Sequence, residues 1–416
     1  MSDISKPLHL AARRSVRMRW VVALVLFGSV LVGFFDRISV AALFNNPDFY
    51  NSLHVGFNPT KLGFLMTAFL IAYGISSVVL SVIGDVFKPG KALTASAVIW
   101  GVVMLGMGAA QSYGALILGR VVLGITEGPQ FSLIAKIVHR WFPPDQRGRA
   151  NAIWMVGSPI GSAVGFPFTL WLVHAHGWRA SFYIFGVVSL FIMAPLIYFT
   201  TRDRARYADR EESRQAAGAT EAKEKVDLRL FLKDYRFWLV TAYGCGLLMY
   251  LWGLNSWLPT YLARVRHFDL AQMGIYSSLP FILMFIGEVL SGLLADRLGR
   301  RAILCFIGLA GAGILLYIGT LIQEPHTAAL VIALSAGCWG LGLPAQYALA
   351  MDIIPVSVTS AGIGVKNGFS NLMGALAPAL IGWIVSTTGS FNTGLLVIVI
   401  GSMVGAVMMI PLIRRH

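Results

Sequence analysis

Charge is what this chain has least of. Only 12% of its 416 residues are charged, while 56% are hydrophobic and the mean hydropathy is +0.71. A soluble domain is about a quarter charged, so a water-soluble globule is excluded. Cysteine is nearly as scarce. Cys245, Cys305 and Cys338 all fall inside apolar stretches, which excludes a disulfide framework and a metal-ligand spacing. They read as small buried side chains. No nucleophile–base set and no cofactor loop is recognisable, so the chain reads as a non-enzyme without metal or cofactor, any coupling ion being the proton. No Asn-x-Ser/Thr acceptor occurs, because Pro59 blocks Asn58-Pro59-Thr60, which fits a bacterial inner membrane.

What the chain has instead is long apolar runs. A membrane-crossing helix needs about 20 apolar residues. Twelve such runs are present, at 20–43, 60–84, 91–110, 113–138, 149–172, 178–200, 237–262, 272–295, 301–322, 326–351, 359–385 and 391–413. They are too long and continuous for barrel strands, so the expected fold is all-α, with twelve transmembrane helices. The first run follows Arg13, Arg14, Arg17 and Arg19, as a signal peptide's would. Its length and its internal Asp36-Arg37 mark it as a retained helix.

The net charge of +14 invites a nucleic-acid reading, which its distribution rejects. With the N-terminus inside, the cytoplasmic segments carry 26 Lys and Arg. The outer loops carry four, namely Lys61, Arg179, Arg264 and Arg266. This is the positive-inside asymmetry, and it predicts cytoplasmic N- and C-termini in a multi-pass inner (plasma) membrane protein, with the lipid bilayer as partner. The remaining three cations, Arg37, Arg120 and Lys366, lie inside spans.

Residues 201–236 interrupt the pattern with alternating acids and bases. They divide the chain into an N-terminal arm (1–19), a six-helix bundle (20–200), a cytoplasmic linker (201–236) and a second six-helix bundle (237–416). The halves echo each other. Gly292-x-x-x-Asp296-Arg297-x-Gly299-Arg300-Arg301 after span eight has a degenerate copy after span two, with Ser81 for glycine, Asp85 retained and Val86 for arginine. Parallel repeats of six spans are the architecture of the two major-facilitator halves.

The motif at 292–301 resembles the cytoplasmic loop signature of the major facilitator superfamily, and the resemblance covers the whole chain. In that reading Asp85, Asp296, Arg297 and Arg300 latch the halves, an acid capping a helix end and pairing with loop cations. Phe34-Phe35-Asp36-Arg37 in span one, Gly119-Arg120 with Thr126-Glu127-Gly128-Pro129 in span four, and Gly177-Trp178-Arg179 before span six resemble the anion:cation symporter family. That family's members take up sugar acids and other organic anions and include vesicular glutamate carriers and sialin. Its tyrosine two residues before the aspartate is Phe34 here, which removes a hydroxyl and leans toward a less hydroxylated acid.

A charge within the bilayer costs about 2.5–3.5 kcal/mol or more, so the intramembrane charges point to function. Arg120 and Glu127, seven residues apart, share a helix face. Arg37 and Arg120 lie at similar depth, where two guanidiniums can grip a carboxylate. Asp36 and Glu127 can carry protons, since burial raises a carboxyl pKa and a nearby arginine lowers it. The resemblance implies the same division: Arg37, with Arg120, for substrate, and Asp36 and Glu127 for protons. Two readings of Arg120 stay open, substrate ligand or a group that tunes Glu127. The structural alternative is ion pairs that only orient helices.

In the second half, Glu288 and Lys366 match in depth from the cytoplasmic side, and Lys366 departs from the family, which is usually uncharged there. Lys366 therefore pairs with Glu288, meets a second acidic group on the substrate, or snorkels to the cytoplasm. Tyr73, Asn255, Gln346, Asn367, Ser370 and Asn371 are further candidates to line the pocket, against the plainer reading of interhelical hydrogen bonds. Gly157, Gly161 and Gly165 form a small-residue stripe for close packing. The expected function is import of a small organic anion by proton symport through alternating access, by a monomer with no nucleic-acid partner. Anion exchange, proton-driven efflux of amphiphiles and anion sensing without flux are the alternatives.

Overall fold

The computed structural model describes residues 5–80, 83, 87–202, 229–298, 300–355 and 359–413. Among the described residues it contains twelve helices long and apolar enough to cross a membrane. Spans one to six are Met18–Ala42, Pro59–Val79, Pro89–Gly108, Tyr113–Trp141, Arg149–His176 and Trp178–Arg202. Spans seven to twelve are Tyr235–Arg264, Leu270–Gly292, Arg301–Leu321, Pro325–Ile353, Gly362–Thr388 and Phe391–Ile413. They form two six-helix bundles. An alternating path puts the start of span one, the end of span six, the start of span seven and the end of span twelve on one face, here the linker side; the opposite face is the far side.

Capping residues account for where the helices depart from their hydrophobic runs. Span seven starts two residues before the expected 237, because the Asp234 carboxylate accepts from Arg236 N at 2.9 Å. Span five continues past its expected end at 172 to His176, where Gly177 at φ +80° stops it. Of the expected 201–236 linker, residues 203–228 lie outside the described residues, and Arg229–Leu232 forms a single helical turn.

The glycine stripe of span five places span one. A Cβ at Gly161 would sit 2.9 Å from Phe34 Cβ and 3.0 Å from the Leu31 carbonyl oxygen, and one at Gly165 would sit 2.6 Å from Ile38 Cδ1. Span one therefore lies in a groove that only glycine leaves open, one helix face away from Asp36 and Arg37.

Prolines supply the second device. Pro129 has no N–H to bond the Ile125 carbonyl, and span four breaks there into Tyr113–Glu127 and Gln130–Trp141. The freed carbonyl accepts from Ser76 Oγ of span two. In span five Pro167 likewise releases the Ala163 carbonyl, which accepts from Ser278 Oγ of span eight at 2.5 Å, joining the two bundles. In span eleven, the Thr67 hydroxyl from span two donates to the Ala375 carbonyl at 2.7 Å and accepts from Ala379 N at 3.1 Å, inserting into the helix ladder beside Pro378.

The bundles meet mainly toward the far side. Phe44 packs on Trp257 with ring centroids 5.3 Å apart, and Arg264 Nε donates to Asn45 Oδ1 at 2.9 Å while its guanidinium covers the Phe57 ring. Phe166 stacks on Phe281, and the hydroxyls of Thr60 and Ser386 are 2.8 Å apart. The span two–span eleven seam continues toward the linker side, where Gly74 faces Asn371 and Leu372, and Gly368 faces Val78.

Candidate functional site

The break in span four sets the site. It carries Glu127 and Gln130 on the two sides of Gly128-Pro129, and both turn toward span one. Arg37 Nε donates to Glu127 Oε2 at 2.6 Å, and Arg37 Nη2 donates to Gln130 Oε1 at 3.3 Å. Gln130 is held in turn by its Nε2, which donates to the Ser29 carbonyl at 3.0 Å. Both members of the ion pair are fully buried, with side-chain exposures of 1% and 0%. The guanidinium is boxed by aromatic rings: Tyr73 at 4.6 Å, Phe34 at 4.8 Å and Phe131 at 5.5 Å from its centre. Phe34, a departure from the family pattern, thus gives a ring face to Arg37 in place of a hydroxyl.

Arg120 is placed differently from the expected side-by-side pair. Its Nε donates to the Leu65 carbonyl at 3.3 Å, Nη1 to the Asp36 carbonyl at 3.2 Å and Nη2 to the Arg37 carbonyl at 3.4 Å. Its guanidinium also lies 4.4 Å from the Phe69 ring centre. Every nitrogen is engaged by spans one and two through the second lone pairs of helical carbonyls. Arg120 therefore staples the backbone of Asp36-Arg37 in place and does not share a carboxylate face with Arg37. The sequence places both arginines at one depth, but depth says nothing about which way each fork points.

Asp36 is fully buried, and among the described residues neither carboxylate oxygen has a hydrogen-bond partner. Glu127 Oε1 is likewise unpartnered. A buried carboxylate without partners is costly when ionised, whereas the neutral acid is tolerated. Spans one and four thus hold two cations, two acids and three orphaned acid oxygens within one apolar interior.

The second bundle contributes mostly neutral groups. Gln346 and Ser370 both face Gly244 of span seven, where a Cβ would meet Ser370 Oγ at 2.4 Å and Gln346 Oε1 at 3.3 Å. Asn255 is buried with its Oδ1 unpartnered, as is Gln346 Oε1. Asn371 Nδ2 donates to the Asn367 carbonyl of its own helix at 2.9 Å. Asn367 Oδ1 accepts from Tyr347 OH at 3.1 Å. Lys366 places its ammonium 4.2 Å from the Tyr347 ring centre.

The expected Glu288–Lys366 pair is not formed. Equal depth does not bring them together, because Glu288 belongs to a helix whose Gly287 packs on Gly337 and Gly340 of span ten, whereas Lys366 turns to Tyr347. Among the described residues Glu288 has no ion-pair partner. Asp85 and the side chains of Asp296 and Arg297 lie outside the described residues. Arg300 is exposed just before span nine, and its neighbour Arg301 pairs with Asp352 at the end of span ten. Two groups escaped the sequence reading: Gln130, whose signal was its place three residues after Glu127 across a proline, and Tyr347, beside Gln346 in an apolar span.

Two bundles of six helices around buried charge define a polytopic membrane carrier. The family model described as Major Facilitator Superfamily matches residues 25–378 and 273–416. The chain belongs to that superfamily. It is 30% identical over 407 residues to the "Probable sulfoacetate transporter SauU" of Cupriavidus necator, covering 91% of this chain and 90% of that one. It is 26% identical over 384 residues to the "Hexuronate transporter" of Bacillus subtilis, covering 89% of each. Its fold also matches the crystal structure of a bacterial homologue of the human lysosomal transporter Spinster, with TM-score 0.73 and 20% identity, over 95% of this chain and 94% of that one.

Proposed function

We propose that this chain is a secondary transporter that imports a small organic anion together with protons, by alternating access, across a bacterial inner membrane with both termini in the cytoplasm. Relatives named for sulfoacetate, hexuronate and L-galactonate support the anion class. The excess of basic residues on one face supports the orientation.

The observation that carries the reading is the buried Arg37–Glu127 pair beside an unpartnered Asp36. Arg37 is the only arginine of the site whose fork points away from backbone, and Glu127 occupies it. A substrate carboxylate and the ionised Glu127 therefore compete for one guanidinium. A proton on Glu127 releases Arg37, and an anion on Arg37 makes Glu127 easier to protonate. Each ligand raises the affinity for the other, which is the reciprocity that coupling requires. Asp36, held by its backbone against Arg120, is the second proton site of this reading. Contacts concentrated on the far side fit a rocking mechanism in which that face is closed and the other gives access.

The test is proton uptake into proteoliposomes holding a pH-sensitive dye, with sugar acids, sulfoacetate, hydroxy acids, dicarboxylates and aromatic acids added in turn. Internal acidification by a few related anions is the expected result. Glu127→Gln should abolish gradient-driven accumulation yet keep anion exchange. Full accumulation by that variant removes Glu127 from the mechanism, and clear ligand stabilisation without any flux identifies a sensor.

A further inference from the structure

Among the described residues, Lys366 is the one fully buried intramembrane charge that the mechanism above leaves unused. Its side chain is 1% exposed. Among the described residues no carboxylate lies within 4 Å of its ammonium, and its close contact is the Tyr347 ring at 4.2 Å. A ring face offsets only a small part of what an ammonium loses on leaving water. Every other buried intramembrane cation here is compensated: Arg37 by Glu127, and Arg120 by three carbonyls.

The position of Lys366 is as telling as its isolation. Tyr347 is fixed by its hydrogen bond to Asn367, so the ring that backs the ammonium is held in place. Arg37 is backed in the same way by Tyr73, 4.6 Å from its centre. Tyr73 precedes Gly74, which abuts Asn371 of span eleven, and one turn from Asn371 lies the Asn367 that holds Tyr347 of span ten. Two cations thus belong to the residues around one seam, one from each bundle, and each is backed by a tyrosine ring.

We propose that Lys366 is the second anion anchor of the transport site, and that the carried species is a small organic dianion held between Arg37 and Lys366. The inference rests on the reading of Arg37 as the first anchor. A monoanion satisfies one cation and leaves the other buried without a partner. A dianion with acidic groups at both ends satisfies both and ties the bundles together, which biases the two-state equilibrium directly. Lysine suits this place: its compact charge on a flexible stem accepts a carboxylate or a sulfonate without demanding the planar geometry of an arginine fork.

The experiment uses the full chain in proteoliposomes and length-matched probe pairs: malonate and sulfoacetate against propionate, succinate against butyrate, and adipate against hexanoate. At least one dianion is expected to compete in counterflow about tenfold or more better than its monoanionic partner, the scale of one charge-assisted hydrogen bond. Lys366→Gln should remove that preference, weakening the dianion about tenfold while leaving the monoanion within about twofold, and Lys366→Arg should keep most of it. An unchanged dianion-to-monoanion ratio in Lys366→Gln overturns the inference. Should that variant not fold, thermal-shift titration of the unmodified protein decides: equal stabilisation by both members of every pair overturns it. Efficient carriage of monoanions alone sinks only this inference, whereas no carriage of any anion sinks the parent reading.

Discussion

The two bundles share a fold and divide the chemistry. The first concentrates charge: Asp36, Arg37, Arg120 and Glu127 are all fully buried, and both arginines are hydrogen-bonded. The second offers Asn255, Gln346, Asn367, Ser370 and Asn371, which are neutral, and a single unpaired lysine. The buried ion pair and both fully buried acids thus belong to one bundle, and the other adds neutral polar groups and one lysine. Such a division is economical. A charge network is stable in a low-dielectric interior only when its members stay together, so keeping it within one rigid body lets the other body move without breaking ion pairs.

That contrast can be broken by substitution. Arg37→Ala should have the largest effect, a complete loss of uptake and of ligand-induced thermal stabilisation. It also leaves Glu127 buried without its partner, at a cost of about 3–5 kcal/mol in stability if the acid stays ionised. Asn255→Ala and Gln346→Ala should weaken substrate about tenfold or less, the scale of one hydrogen bond. If either neutral variant abolishes uptake as fully as Arg37→Ala, the division of labour between the bundles is refuted.

Reversible and partial effects sharpen the same comparison at the seam. A disulfide between Thr60→Cys and Ser386→Cys, whose hydroxyls are 2.8 Å apart, should stop transport until reductant is added, because it pins one bundle to the other on the far side. Uptake that continues through the oxidised pair places the moving interface elsewhere. Thr67→Val removes the hydroxyl that bridges Ala375 and Ala379 and should cost the far-closed state about 1 kcal/mol, seen as greater labelling of a cysteine introduced on the far side.

The smallest effect lies outside the membrane. Glu324 caps span ten, and hydrogen bonds from the Thr327 hydroxyl, then the Thr327 and His326 N–H groups, hold its carboxyl down to about 2. A depressed carboxyl stabilises the fold above its ordinary value near 4.5 and loses that contribution as pH falls toward 2. Glu324→Ala should therefore lower the melting temperature slightly at neutral pH, and the difference from the unmodified chain should vanish near pH 2.

Much of this was legible in the chain. The twelve runs, the repeat and the four charges of spans one and four could be read from hydropathy and spacing, since a bilayer tolerates so few patterns. The glycine stripe of span five was also legible, although not that span one fills it. The partner of Glu127 was not. Arg120 lies seven residues away on the same helix, yet the break at Pro129 turns Glu127 to Arg37 of another span, and Arg120 turns to carbonyls. Glu288 and Lys366 agree in depth and still do not meet, because depth is one coordinate and rotation about the helix axis is another.

Hydropathy, which is additive along the chain, determined by itself that this protein spans a membrane twelve times with charge in its interior. Only the tertiary structure decided which charges neutralise one another and which is left without a partner. Pairing depends on the azimuth of each helix and on the breaks that prolines introduce, and both are set by packing against helices distant in sequence.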